Sequence, residues 1–135
     1  MKGFLKNIEE TTLGNSNFRT VLYTARHAQI VVMALKPNEE IGLEVHEEND
    51  QFFRIEQGTC TVVIDQSTYE AKEGDAFMVP AGAHHNVINA SESAPLKLYT
   101  IYSPPHHRDR VVHVNKEDAL HDDEHFDGVT TEQPL

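Results

Sequence analysis

Between Phe18 and Ser103 the chain is never long without a turn signal, and the segments between turns are rich in β-branched and aromatic residues. That texture argues against a helical bundle and for many short strands. The pattern predicts strands at 18–25, 28–36, 41–46, 51–57, 59–65, 67–72, 76–79, 85–89 and 95–103. The breaks are Arg26-His27, Pro37-Asn38, Glu47 to Asp50, Gln57-Gly58, Gln66, Glu73-Gly74-Asp75, Pro80 to Gly82 and Ser91 to Pro95. Eight or nine strands with short turns and little helix give an all-β fold, closed as an antiparallel barrel or folded as a double sheet.

The ends read differently. Residues 1–17 form an N-terminal lead-in with a short helical turn around Asn7-Ile8-Glu9-Glu10, and 18–105 form the barrel. In the C-terminal extension, 106–135, Asn115 is placed to cap a short helix through Lys116-Glu117-Asp118-Ala119-Leu120. Beyond it, 121–135 are polar and acidic, the texture of a loosely ordered tail or an arm on a partner subunit. No internal repeat is present, and 135 residues suffice for one barrel with a core of its own.

Charge and cysteine content narrow the partners. The net charge of −11, with no local Lys/Arg cluster, repels phosphate backbones and excludes nucleic acid as an expected partner. Cys60 stands alone, so no internal disulfide can form, which suits a reducing cytoplasm; on its strand it reads as a small buried apolar residue. No apolar run is long enough to cross a bilayer, and Met1-Lys2-Gly3-Phe4-Leu5-Lys6 does not read as a signal peptide. The expectation is a cytoplasmic protein with no membrane partner.

The densest signal is the stretch from Gly74 to Asn89. Gly74-Asp75 makes a turn, Ala76 to Val79 a short strand, Pro80-Ala81-Gly82 a second turn, and His85 opens the next strand. Gly74, Pro80, Gly82, His85 and Asn89 fall at the positions of the second cupin motif: Gly, five residues, Pro, one, Gly, two, His, three, Asn. The chain therefore resembles the cupins, and Gly58 stands where the first cupin motif ends. In that motif a Glu lies seven residues before the glycine, with a His-x-His pair just upstream; here those positions carry Gln51 and Glu44-Val45-His46. The glycine expected before the pair is also out of register, Gly42 lying too close.

The resemblance implies a cupin jelly roll (a double-stranded β-helix) holding a divalent transition metal, Zn, Fe, Mn, Ni or Co, on Glu44, His46, Gln51 and His85. Residues at i and i+2 of a strand share a face, so Glu44 and His46 can both point inward. Two imidazoles, one carboxylate and one amide make a mixed nitrogen and oxygen set suited to such ions. Exchanging His for Glu44 and Glu for Gln51 keeps the ligand charge at one negative. The plain alternatives are a solvated strand edge for Glu44 and His46 and a hydrogen-bonded core histidine for His85. His84 should point away from the site. Asp50 reads either as an acceptor orienting His46 or as a turn carboxylate facing water, the second being favoured.

Further residues flank this set. His106 and His107, after Pro104-Pro105, either supply an extra ligand or acid/base at the barrel mouth or stand exposed in an exit loop, the latter being favoured. Tyr99, Phe53 and Met78 are pocket-lining candidates by alternation, with core filling as the default. Arg54 and Lys97 could clamp a phosphate only if alternation turns them inward. His113, His121 and His125 lie in the extension, the last two at helical i, i+4 spacing.

The segments Asn17-Phe18-Arg19, Glu44 to Arg54 and Leu98 to His107 are similar to a subgroup of small single-domain bacterial cupins, often labelled mannose-6-phosphate-isomerase-like. Its members commonly pair as homodimers through swapped N-terminal strands. The implied function is a metal-dependent enzyme on a small polar substrate of sugar or oxo-acid type, whether isomerase, lyase or dioxygenase. The alternative is a non-catalytic barrel that binds metal or a small molecule, because one fold serves many chemistries.

Overall fold

The computed structural model describes residues 1–133; Pro134 and Leu135, the end of the expected tail, lie outside the described residues. Ten strands and two short helices follow one another: α1 (Ile8–Leu13), β1 (Arg19–Thr24), β2 (Gln29–Leu35), β3 (Glu44–Val45), β4 (Asp50–Gln57), β5 (Thr59–Ile64), β6 (Ser67–Lys72), β7 (Ala76–Val79), β8 (His84–Ile88), β9 (Leu96–Ser103), β10 (Val112–His113) and α2 (Lys116–Leu120). They form two antiparallel sheets, one ordered β10-β1-β2-β9-β4-β7 and the other β3-β8-β5-β6. This is the two-sheet jelly roll expected from the strand pattern.

Most strands lie where alternation and turn residues put them. The expected strand 41–46 shrinks to β3, preceded by a single bridge from Glu40 to Ile88. Gly42, with φ +110°, breaks the extended backbone between them and donates its N–H to Asn86 Oδ1 at 2.9 Å. Both helices have the expected caps: Asn7 accepts from Glu10 N and Asn115 from Asp118 N.

The inner faces of β4 and β9 alternate. On β4 the odd residues Gln51, Phe53 and Ile55 are buried, and on β9 the even residues Leu96, Leu98, Thr100 and Tyr102. Apolar members of these rows, with Val31, Met33, Leu35, Cys60, Val62 and Val87, make one core between the sheets. Fully burying Phe53, Met33, Leu35, Ile55, Leu96 and Leu98 contributes roughly 1.5–3 kcal/mol each. Register then decides what stands beside what. Gln29 pairs with Tyr102, Tyr102 with Gln51, and Gln51 with Val79 across one sheet; Glu44 pairs with His85 in the other. Polar side chains from both sheets are thereby gathered at one level of the barrel, with the apolar core beside them.

The described part of the C-terminal extension is held against its own barrel, where composition suggested a loose tail. Phe126 N donates to His106 O at 2.9 Å, and Thr131 N to Thr24 O at 2.9 Å. The Glu132 carboxylate accepts from Lys2 N, Gly3 N and Tyr23 Oη. Three of its carboxylates, Asp122, Glu124 and Glu132, are spent on contacts with its histidines, the barrel and the N-terminal lead-in.

Candidate metal centre

Three of the four side chains singled out in the sequence, Glu44, His46 and His85, come together, and Gln51 pairs across the sheet with Tyr102, whose ring lies 5.7 Å from that of His46. Glu44 leaves β3 and His46 follows it, with Glu44 Oε2 3.0 Å from His46 Nε2. The ring centroids of His46 and His85 are 5.2 Å apart. Gln51 donates from Nε2 to Thr100 Oγ1 at 3.0 Å, which fixes its amide and leaves Oε1 as a buried acceptor with no partner. His85 is held by Nδ1 against Ala83 O at 3.1 Å, so the proton sits on Nδ1 and Nε2 presents a lone pair.

The second motif supplies the frame. Gly82, at φ +87°, turns the chain so that its N–H reaches His46 O at 2.9 Å. Asp50, exposed, accepts from Ala81 N at 2.9 Å, so it is a turn carboxylate and not an acceptor for His46. Asn89 is buried and donates to Leu35 O, Lys36 O and Ala94 O, a structural clamp away from the site.

The favoured reading of His106 and His107 as exposed imidazoles is overturned. The His106 ring lies 4.2 Å from that of His46 and stacks on Tyr102 at 5.2 Å. His107 is buried, with Nε2 3.2 Å from Tyr102 Oη and Nδ1 2.9 Å from the buried Glu124 carboxylate. The loop is held by two amides whose part the sequence did not reveal. Gln29 accepts from His106 N and His107 N and donates to His107 O and Thr24 Oγ1. Asn49 donates to Pro104 O at 2.6 Å.

Other expectations are corrected by strand phase. Tyr99, Arg54 and Lys97 lie on the outer face; Lys97 Nζ donates to Leu13 O at 2.6 Å, and Arg54 lies beside Glu56. Tyr102, not Tyr99, is the inward tyrosine. Met78 is exposed, whereas Phe53 is core and stacks on Phe77 at 4.7 Å. The inward cation is Arg19, buried on β1, with Nη1 3.1 Å from His113 Nδ1; His113 Nε2 in turn faces Asp122 at 2.9 Å. His84 points out as expected, and His121 and His125 are exposed. Cys60 is buried and its thiol is pushed up to about 12, mainly by burial, so it is no nucleophile.

Burial governs the electrostatics. It would raise Glu44, but the His46 ring beside it, aided by Arg19 and His85, holds that carboxyl below its ordinary value. Burial lowers His85 and drives His106 to about 4, His107 and His46 adding to the latter, so both rings are neutral donors at neutral pH. Burial likewise lowers His107, while its contact with Glu124 holds that carboxyl down. A neutral imidazole therefore donates Nδ1–H to a carboxylate and accepts at Nε2 from the Tyr102 hydroxyl.

Among the described residues no three His, Cys, Asp or Glu side chains form a ready metal cage. The donors nevertheless suit a metal. His46 Nε2 and Gln51 Oε1 are buried polar atoms without a hydrogen-bond partner among the described residues, a costly arrangement unless something receives them. Surface clefts of about 360 and 370 Å³ contain none of these residues. Among the described residues no helix is long and apolar enough to cross a membrane.

The cupin domain family model matches residues 31–102. The uncharacterized protein YrkC of Bacillus subtilis (strain 168) is 45% identical over 88% of this chain and 67% of its own. A crystal structure from Bacillus halodurans superposes with a TM-score of 0.85 at 39% identity, covering 88% of this chain and 94% of that one. A protein from Silicibacter pomeroyi described as a sugar phosphate isomerase of the cupin superfamily has a TM-score of 0.55 at 23% identity, over 64% and 59% of the two chains, a likeness of fold alone.

Proposed function

The chain belongs to the cupin domain family, and on that footing we propose that its barrel is a divalent-metal site serving an enzyme of small polar substrates, of sugar or oxo-acid type. The observation that carries this is the pair of buried polar atoms, His46 Nε2 and Gln51 Oε1, left without a hydrogen-bond partner among the described residues, in the same interior as the neutral His85 ring and the ionised Glu44. Those four side chains would hold the ion, with His106 beside His46 as a further nitrogen. A bound ion of this class supplies Lewis acidity toward a carbonyl or enediolate oxygen.

The protein's own residues do the rest. Gln29 and Asn49 hold the His106–His107 loop in place, and the ring of His106 against Tyr102 helps to keep water from the interior. Tyr102 Oη, hydrogen-bonded to His107 Nε2 with Glu124 behind the ring, is the group built to hold or pass a proton. The alternative is a non-catalytic barrel that binds metal or a small molecule, because one fold serves many chemistries.

Metal content and turnover test the proposal. Protein purified without a histidine tag or chelator should carry about one equivalent of a transition metal. Iron directs the assays to O₂-dependent reactions, zinc or manganese to isomerisation and elimination. Metal at full occupancy with no turnover on any of these substrate classes leaves the binding barrel as the answer.

A further inference from the structure

Arg19 stands inside the barrel with no counter-ion among the described residues. The residue is 8% exposed, and its Nε is buried with no hydrogen-bond partner. Its side-chain contacts are His113 Nδ1, 3.1 Å from Nη1, and the Phe18 ring, 5.3 Å from the guanidinium carbon. No carboxylate lies within ion-pair distance of it among the described residues. A guanidinium presents five N–H donors and cannot shed its charge, so this burial is costly unless another group comes to meet it.

Its position shows where that group comes from. Arg19 shares the inner face of β1 with Val21, a member of the core. Val21 pairs with Val31 and Val31 with Thr100, whose hydroxyl accepts from Gln51 Nε2 of the candidate site. We infer that the ligand of this barrel is a small anion, a carboxylate or a phosphate, whose charged group is received by Arg19 while the rest of the molecule faces Glu44, His46, Gln51 and His85. This rests on the metal reading above, through charge balance. Arg19, the part-buried Glu44 and the buried Glu124 together carry one net negative charge, and a divalent ion would turn that deficit into a single positive excess. One anionic group neutralises it. Arg54 and Lys97 lie on the outer face, so Arg19 replaces them as the anion-binding residue.

The test uses the ¹⁵N-labelled full chain, zinc-loaded, titrated with acetate and separately with methyl phosphate. The Arg19 Nε–Hε resonance is followed, affinity is measured by calorimetry, and metal content is determined in every sample. A saturable shift of that resonance with at least one probe is expected. Arg19→Gln should bind that probe at least tenfold more weakly at unchanged metal content, with Arg19→Lys in between. The probe that saturates distinguishes carboxylate from phosphate. A resonance indifferent to both probes, or equal binding by Arg19→Gln, overturns the inference and leaves Arg19 as a structural partner of His113. The resonance decides even if the variants fail to fold. Wild-type protein that takes up no zinc refutes the metal reading separately, and the same titration of the metal-free chain still decides the role of Arg19.

Discussion

Glu44 Oε2 lies 3.0 Å from His46 Nε2, yet that nitrogen has no hydrogen-bond partner. The two atoms are close, but the carboxylate is off the N–H direction. Neighbouring ligands of one ion stand in this relation, close together and each directed at a third atom. The single negative charge of the expected site has moved from the position of Gln51 to that of Glu44 without being lost.

Gln51→Leu separates metal binding from folding. It removes the unsatisfied Oε1 along with the donor to Thr100, two effects on apo stability that oppose each other. Metal affinity by chelator competition should fall at least tenfold. The unfolding free energy in urea with chelator should change by less than about 1.5 kcal/mol. A larger loss of apo stability would make Gln51 a structural residue.

Gln29→Leu should do the opposite. It strips partners from His106 N, His107 N and His107 O in a buried loop. The expected loss is about 3 kcal/mol in urea denaturation, the range for a broken buried network. A loss under about 1 kcal/mol would show that the loop does not depend on this clamp.

Gly58, the closing glycine of the first motif, has φ +91°, and a Cβ there would meet Pro95 O at 2.6 Å. Gly58→Ala should cost roughly 1–3 kcal/mol from the backbone conformation, and more from the contact. An unchanged melting temperature would refute the close approach.

Glu132 carries a pH dependence of known sign. The Tyr23 hydroxyl and the amides of Lys2 and Gly3 lower its carboxyl from an ordinary 4.5 to about 2. A depressed carboxyl stabilises above the unfolded value, so this tether is intact above pH 4.5 and is lost as pH falls toward about 2. The Gly3 amide shift should titrate with the low midpoint, and Glu132→Gln should abolish that step. A midpoint at the ordinary carboxylate value would contradict the tether.

Strands and site were legible in the sequence to different degrees. Period-two alternation and turn residues located nine of the ten strands, because those signals are local; β10 is two residues long and exists only through its pairing with β1. Glu44, His46, Gln51 and His85 were legible because their motifs fix spacing. Tyr102 faces inward where alternation suggested Tyr99, because phase along β9 cannot be read until one residue is known to face inward. Arg19, Gln29 and Glu124 were missed for a common reason: each is a polar residue whose partners lie far along the chain, and nothing local distinguishes it from a solvated one. The acidic texture of the tail hid a carboxylate buried against His107 in the same way.

The most direct test is elemental analysis of the untagged wild-type chain beside His46→Ala and His85→Ala, all reconstituted with zinc, manganese or iron and then desalted. About one equivalent in the wild type, and loss of it in both variants while their circular dichroism stays that of the folded barrel, is the predicted result. Full metal content in both variants, or none in the wild type after reconstitution, would contradict a metal centre on Glu44, His46, Gln51 and His85.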